Sequence, residues 1–149
     1  MDESTRRRIV EKASYVRDAV EVLAEKRDSL SFEEYRDSRE DRAVVERELQ
    51  TAIEDCIDIG EMLLRSRDIA VPETNRSVFR RLEAEAVLDD ATADRMARAA
   101  GLRNILTHQY GADIDDEAVY TSLQNQLDGS KRTSHRSETL SAEVSRPRF

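Results

Sequence analysis

Apolar residues recur along the chain in steps of three and four. Ile9, Ala13, Val16, Val20 and Leu23 follow one another by 4, 3, 4 and 3 positions, the spacing that gathers side chains on one face of an α-helix. The pattern predicts a helix over 4–27 with Ser4 as its cap. Ser31 and Glu34 stand three apart ahead of a polar break near Asp37 and Ser38, a capping-box arrangement that predicts a short second helix. From about 40 to 67 the periodicity is longest. Val45, Leu49, Ala52, Cys56, Ile59 and Leu63 form one stripe, and Val44, Ile53, Ile57, Gly60 and Leu64 form a second beside it. A helix apolar on two sides touches neighbours on both. It is expected to lie centrally, or to face its own bundle and a second subunit. Gly60 within it would permit close helix approach, at a cost of roughly 1 kcal/mol against Ala.

Pro72 closes that segment. Asn75 is read as the cap of a helix carrying Val78, Phe79 and Leu82 that stops near Val87 and Leu88. Asp89 or Asp90 caps the next, with Met96, Ala99, Leu102, Ile105 and Leu106 turned inward and Gly111 ending it. Asp115 is the expected cap of a last helix, with Asp116 and Glu117 in its first turn and Val119, Tyr120, Leu123 and Leu127 on its apolar face. The sum is an all-α, up-and-down bundle of five or six helices over residues 1–128. Beyond Asp128 the periodicity stops, and 129–149 reads as a disordered basic tail.

Composition agrees. Four Gly and two Pro among 149 residues, with no Trp and 5% aromatics, are few for a β-sandwich with its many tight turns. Net charge is −8, and the 129–149 segment carries five basic and two acidic side chains, so the preceding 128 residues carry −11. Only Lys12, Lys26 and Lys131 are lysines among 24 basic residues. Such a surface suits a salt-rich cytosol and argues against a general nucleic-acid binder, whose affinity comes mostly from phosphate contacts. A local basic site is still open to it, because at molar salt the Debye length falls to roughly 3 Å. Cys56, the single cysteine, lies on an apolar stripe and is read as core. No apolar run approaches a membrane span, so a soluble, cytoplasmic protein without membrane attachment is expected.

The candidate chemistry is in RNILTHQYG, residues 103–111. On a helix Asn104 and His108 lie about 40° apart, and Arg103 and Tyr110 within about 20°, whereas Arg103 and His108 are about 140° apart. The last pair converge only if the arginine uses its length or the last turn unwinds. His108 near a helix C-terminus can accept or donate a proton. Arg103 offers a fixed fork of donors that matches a phosphate. Together they suit cleavage of RNA by its own 2′-hydroxyl, with no metal or other cofactor expected. That reaction wants an acid and a base, and His135 falls in the tail, so a twofold dimer would supply the second His108. The same side chains at a helix end can also do no more than cap carbonyls and bond a loop. Arg76, Arg80, Arg81, Arg95 and Arg98 could line an RNA path, although solvated helix faces with acidic i,i+4 partners are the simpler reading. Tyr15, Tyr35 and Tyr120 are expected to pack.

RNILTHQY resembles the R-x4-H-x-Y signature of HepT-like proteins, a branch of the HEPN superfamily. Arg103, His108 and Tyr110 match the motif, and Asn104 matches the polar residue that usually follows the arginine. The context also matches, with ERELQTAIEDCIDIGEMLL at 46–64, FRRLEAEAVL at 79–88 and AGLRN leading into the motif. The resemblance covers roughly residues 5–128. It implies a homodimer with the motif at its interface and a metal-independent endoribonuclease. It implies the toxin of a type VII (HEPN/MNT) toxin–antitoxin pair, silenced when an MntA-like nucleotidyltransferase antitoxin transfers AMP onto Tyr110. Arg103 would stabilise phosphate charge, His108 act as acid or base, and Asn104 orient the substrate or His108. The last 22 residues depart from the family's pattern, in which a helix continues. The rival readings are a non-catalytic helical subunit that regulates a nucleotidyltransferase, and a purely structural bundle.

Overall fold

In a computed structural model, which describes residues 1–108 and 116–125 (side chains through 106 and from 116 to 124), the chain is all-α and has six helices and no strand among those residues. They are α1 (Glu3–Ser29), α2 (Phe32–Asp37), α3 (Arg39–Ser66), α4 (Asn75–Ala84), α5 (Asp90–His108) and α6 (Asp116–Asn125). Gly111, Asp115, Leu127 and the tail expected from 129 onward lie outside the described residues.

Each start follows from its cap. Asp2, not Ser4, begins α1: its carboxylate accepts from the Thr5 N–H at 2.7 Å, an anion placed at the positive end of the helix dipole. Ser31 and Glu34 form the complete capping box of α2. Ser38 both ends α2 and caps α3. Thr74 rather than Asn75 caps α4, because Thr74 holds the extended backbone while Asn75 is already helical. Asp89 settles the choice at α5 by accepting from Thr92 N–H at 2.7 Å.

The ends are less conventional. After α3 the Asp68 and Ile69 N–H groups bond Arg65 and Leu64 carbonyls, and after α4 those of Ala86 and Val87 bond Glu83 and Leu82. Both are Schellman motifs, with Asp68 (φ 58°) and Ala86 (φ 59°) in the left-handed position that usually holds glycine. This stops α4 at Ala84, short of the expected Val87.

α3 packs against every other helix, so its two stripes are both satisfied within one chain. α1 runs antiparallel along one side, as Lys12 opposite Asp55 and Asp58, and Lys26 opposite Asp41, require. The α4–α5 hairpin covers the other. All five expected α1 residues are buried, as are ten of the eleven stripe residues of α3, the exception being part-buried Val44. Cys56 is buried, and that burial pushes its thiol up to about 12, so it is a core residue. Aromatics fasten α6: Tyr120 sits 5.6 Å from both Phe32 and Tyr35 and donates to the Leu30 carbonyl at 2.8 Å. Tyr35 is fully enclosed, whereas Tyr15 stands half exposed and only bonds Glu11. Among the described residues no helix is long and apolar enough to cross a membrane.

At Gly60, α4 side chains pack directly on the backbone of α3. A Cβ there would lie 2.9 Å from Val78 Cγ1 and 3.0 Å from Leu82 Cδ1. Gly60→Val is expected to lower unfolding free energy by about 2–3 kcal/mol, overpacking outweighing any helix-propensity gain. Urea denaturation checks this, and an unchanged midpoint would remove the close approach from the account.

Candidate functional site

Of the four motif residues, Arg103 and Asn104 have described side chains, on the last turns of α5. His108 is the final residue of that helix, with its side chain outside the described residues, and Tyr110 lies outside them altogether. The structure therefore places Arg103 and Asn104 on one helix end but does not show how they meet the imidazole or the phenol. The inward set of α5 is Met96, Ala99, Leu102 and Leu106; Ile105, expected inward, is 37% exposed. Leu102 and Leu106 are one turn apart and define the seam, and Ile105 is turned about 60° off Leu102 toward solvent. Asn104 beside it is exposed.

Arg103 points the other way. Its Nε and Nη2 lie 3.3 and 3.2 Å from the Glu54 Oε1 on α3, and the Gln50 amide donates to the same oxygen at 3.3 Å. Sequence spacing gave no sign of this pair, because 49 positions separate its members. The contact forms one wall of a cleft of about 360 Å³ between α3 and the α4–α5 hairpin, lined by Glu54, Ile57, Asp58, Glu61, Asn75 and Arg103. Glu54, Asp58 and Glu61 step by 4 and 3, so α3 presents three carboxylates on one face. Lys12 takes Asp58 at 3.0 Å and Asp55 at 3.5 Å, and the bond to Asp58 raises the lysine's pKa. Burial raises that of the Asp55 carboxyl. Among the described residues no group of three His, Cys, Asp or Glu is arranged to hold a metal ion. A polyanion has no reason to enter a cleft floored by carboxylates. What this end of α5 offers a phosphate is its outer rim, where Arg103 is part-exposed and Asn104 exposed.

The other candidate arginines divide. Arg80 pairs with Glu83 at 3.0 Å and with Asp94, and Arg81 pairs with Glu85 at 3.0 Å. These two are solvated helix faces, as the simpler reading expects.

Fold and motif converge on an all-α bundle with RNILTHQY at the end of α5 and beyond it. A family model described as ribonuclease HepT-like matches residues 16–136, a span that contains α2 to α6 and the whole motif, and the chain belongs to that family. It is 31% identical over 96 residues to a tRNA nuclease HepT of Aphanizomenon flos-aquae, covering 64% of this chain and 65% of that protein. It is 29% identical over 80 residues to an mRNA nuclease HepT of Shewanella oneidensis, covering 54% and 59%. The aligned stretch thus spans under two-thirds of either relative's length. The fold is similar to that of a tri-AMPylated Shewanella oneidensis HEPN toxin solved in complex with an MNT antitoxin, with TM-score 0.79, 20% identity and 93% and 99% of the two chains covered. A crystal structure of a toxin–antitoxin with AMP-PNP matches at TM-score 0.80 and 20% identity, over 89% and 98%.

An ion pair whose partners are 27% and 40% exposed contributes little to stability, about 1 kcal/mol or less. Arg103→Ala is therefore expected to shift the unfolding free energy by no more than that. Chemical denaturation checks it; a loss of several kcal/mol would make Arg103 a structural strut rather than a functional group.

Proposed function

We propose that this chain is the ribonuclease toxin of a type VII toxin–antitoxin pair. The observation that carries the reading is the family match, which runs through Arg103, Asn104, His108 and Tyr110. Its relatives are named as tRNA and mRNA nucleases, which supports RNA as the substrate class. The folded unit is residues 1–128, followed by the basic tail, and the protein acts in the cytoplasm.

The chemistry needs few parts. An imidazole takes the proton of an RNA 2′-hydroxyl, the 2′-oxygen attacks phosphorus, and the P–O5′ bond breaks. An acid then protonates the departing 5′-oxygen, leaving a 2′,3′-cyclic phosphate and a 5′-hydroxyl. Arg103 leaves Glu54 for the phosphate and offsets charge on the phosphorane, because its fork of donors matches the equatorial oxygens. Asn104, exposed beside it, orients the substrate or His108. The acid and base are two copies of His108 in a homodimer whose twofold axis passes near the ends of α5. The pairing of Arg103 with Glu54 favours a second reading, in which the motif is structural and the chain is a non-catalytic subunit that regulates a partner nucleotidyltransferase.

Expression of the intact protein is expected to arrest growth and cleave cellular RNA, while His108→Ala and Arg103→Ala each abolish both. Arrest that persists in the double variant would leave the second reading standing. In analytical ultracentrifugation the cleaving species is expected to sediment as a dimer, and a strictly monomeric nuclease would remove the shared site.

Silencing follows from charge. A partner nucleotidyltransferase transfers AMP from ATP to the Tyr110 phenol and releases pyrophosphate. The added phosphate sets negative charge two residues from His108, where the substrate phosphate must bind. The structural relative solved as a tri-AMPylated toxin with its antitoxin supports this. After incubation with that partner and ATP, intact mass is expected to rise by one or more AMP units in the wild type and not in Tyr110→Phe. AMP added equally to the variant would move the modification elsewhere.

A further inference from the structure

We propose that Arg76 and Arg98 form a track for the RNA backbone, along the outer face of α5 that leads to Asn104 and the motif. This rests on the ribonuclease reading. The chain carries 32 acidic side chains, and they neutralise Arg80, Arg81 and Arg103 at 3.2 Å or closer. Arg76 and Arg98 are exposed and have no carboxylate partner among the described residues. The acid one turn before Arg98, Asp94, gives its carboxylate to Arg80, so Arg98 keeps only the Asp94 main-chain oxygen, at 3.3 Å.

Arg76 reaches α5 from α4 through a gap left by a missing side chain. A Cβ at Gly101 would run into the Arg76 Nη2, with Cζ at 3.2 Å and Nε at 3.3 Å. The whole guanidinium therefore lies over the bare backbone of Gly101. On a helix, Arg98, Gly101 and Ile105 fall within about 60° of one another, with Asn104 about 60° from Gly101. All but part-exposed Gly101 are open to solvent. Two guanidinium groups are thus set on the stripe that ends at Asn104. Gly101 stands about 10 Å along the axis from His108, a span of a few nucleotides. Arginine suits the role, because it is always charged and offers phosphate a planar fork. The carboxylates of the α3 cleft turn a polyanion away from the inner side of α5 and leave this outer side to it.

The test uses full-length protein and a fluorescein-labelled, unstructured single-stranded RNA. Binding is read by anisotropy in the His108→Ala background, and cleavage in the wild-type background. Arg76→Gln and Arg98→Gln are each expected to weaken binding roughly threefold to tenfold and to lower the slope of log K against log salt by about 0.7. The cleavage rate at saturating RNA is expected to stay unchanged. Gly101→Ala is expected to weaken binding like Arg76→Gln, and to add nothing in the Arg76→Gln background. It should do so while raising helix stability, since Ala exceeds Gly in propensity, so binding and stability move in opposite directions. If the wild type cleaves RNA while the combined Arg76→Gln/Arg98→Gln variant keeps the parent's affinity and salt slope, the track is overturned and the ribonuclease reading stands. Unaltered RNA affinity with weakened self-association or partner binding would make this a protein-facing surface, and also overturns it. A wild type that neither binds nor cleaves RNA overturns the ribonuclease reading itself.

Discussion

The two apolar sides of α3 constrain everything around them. A 28-residue helix that must be covered on both can satisfy only one side with the long antiparallel α1. The other has to be closed by something short enough to fold back, and the α4–α5 hairpin does so. Each large aliphatic side chain removed from water along these seams contributes roughly 1.5–3 kcal/mol, far more than any surface ion pair. Gly60 then decides how near the hairpin comes, since Val78 and Leu82 rest directly on its backbone. That closeness brings Arg103 within reach of Glu54. The polar geometry of the candidate site is thus a consequence of apolar packing, and α5 is held by its inward residues independently of its outward ones.

Charge is organised in the opposite sense, by local cancellation. The protein is acidic, and Arg81 is matched one turn away by Glu85, while Arg80 is matched by Glu83 and, across the α4–α5 interface, by Asp94. Arg76 and Arg98, exposed and without a carboxylate partner among the described residues, contrast with these two. Screening sharpens the contrast, because exposed pairs fade with salt while contacts at touching distance persist. A phosphate approaching α5 meets a carboxylate-rich side on α3 and a side with unmatched arginines facing out. Its path is selected by where acids are absent rather than by a surplus of positive charge.

Helix existence and facing were legible because period is a property of neighbouring positions. Ile9 to Leu23 and Val45 to Leu64 needed no knowledge of the fold. Boundaries were harder. Asp2 displaced Ser4 and Thr74 displaced Asn75 because several nearby residues can cap and only the backbone chooses among them. Ala86 and Asp68 occupy left-handed positions without being glycine, so α4 gave no local sign of ending at Ala84. Ile105 was read inward because apolarity alone suggests burial, although the seam was already filled by Leu102 and Leu106. The pairing of Glu54 with Arg103 and the cover of Gly101 by Arg76 are contacts between helices. Sequence spacing does not encode them, and only the packing of the hairpin on α3 brings them about.

What the motif requires beyond one chain follows from proton bookkeeping. Transfer to a 5′-leaving oxygen and removal of a 2′-proton are separate events at opposite ends of the phosphorus. Of the two histidines, His108 closes α5 and His135 falls in the basic tail. An arginine cannot give up its proton at neutral pH and a carboxylate cannot donate one, so neither Arg103 nor Glu54 supplies the missing function. On the proposed reading, a second copy of the same helix end does. On the proposed reading a modification at Tyr110 then acts on both protomers' chemistry at once. Each phosphate would occupy a space that two histidines and two arginines hold in common.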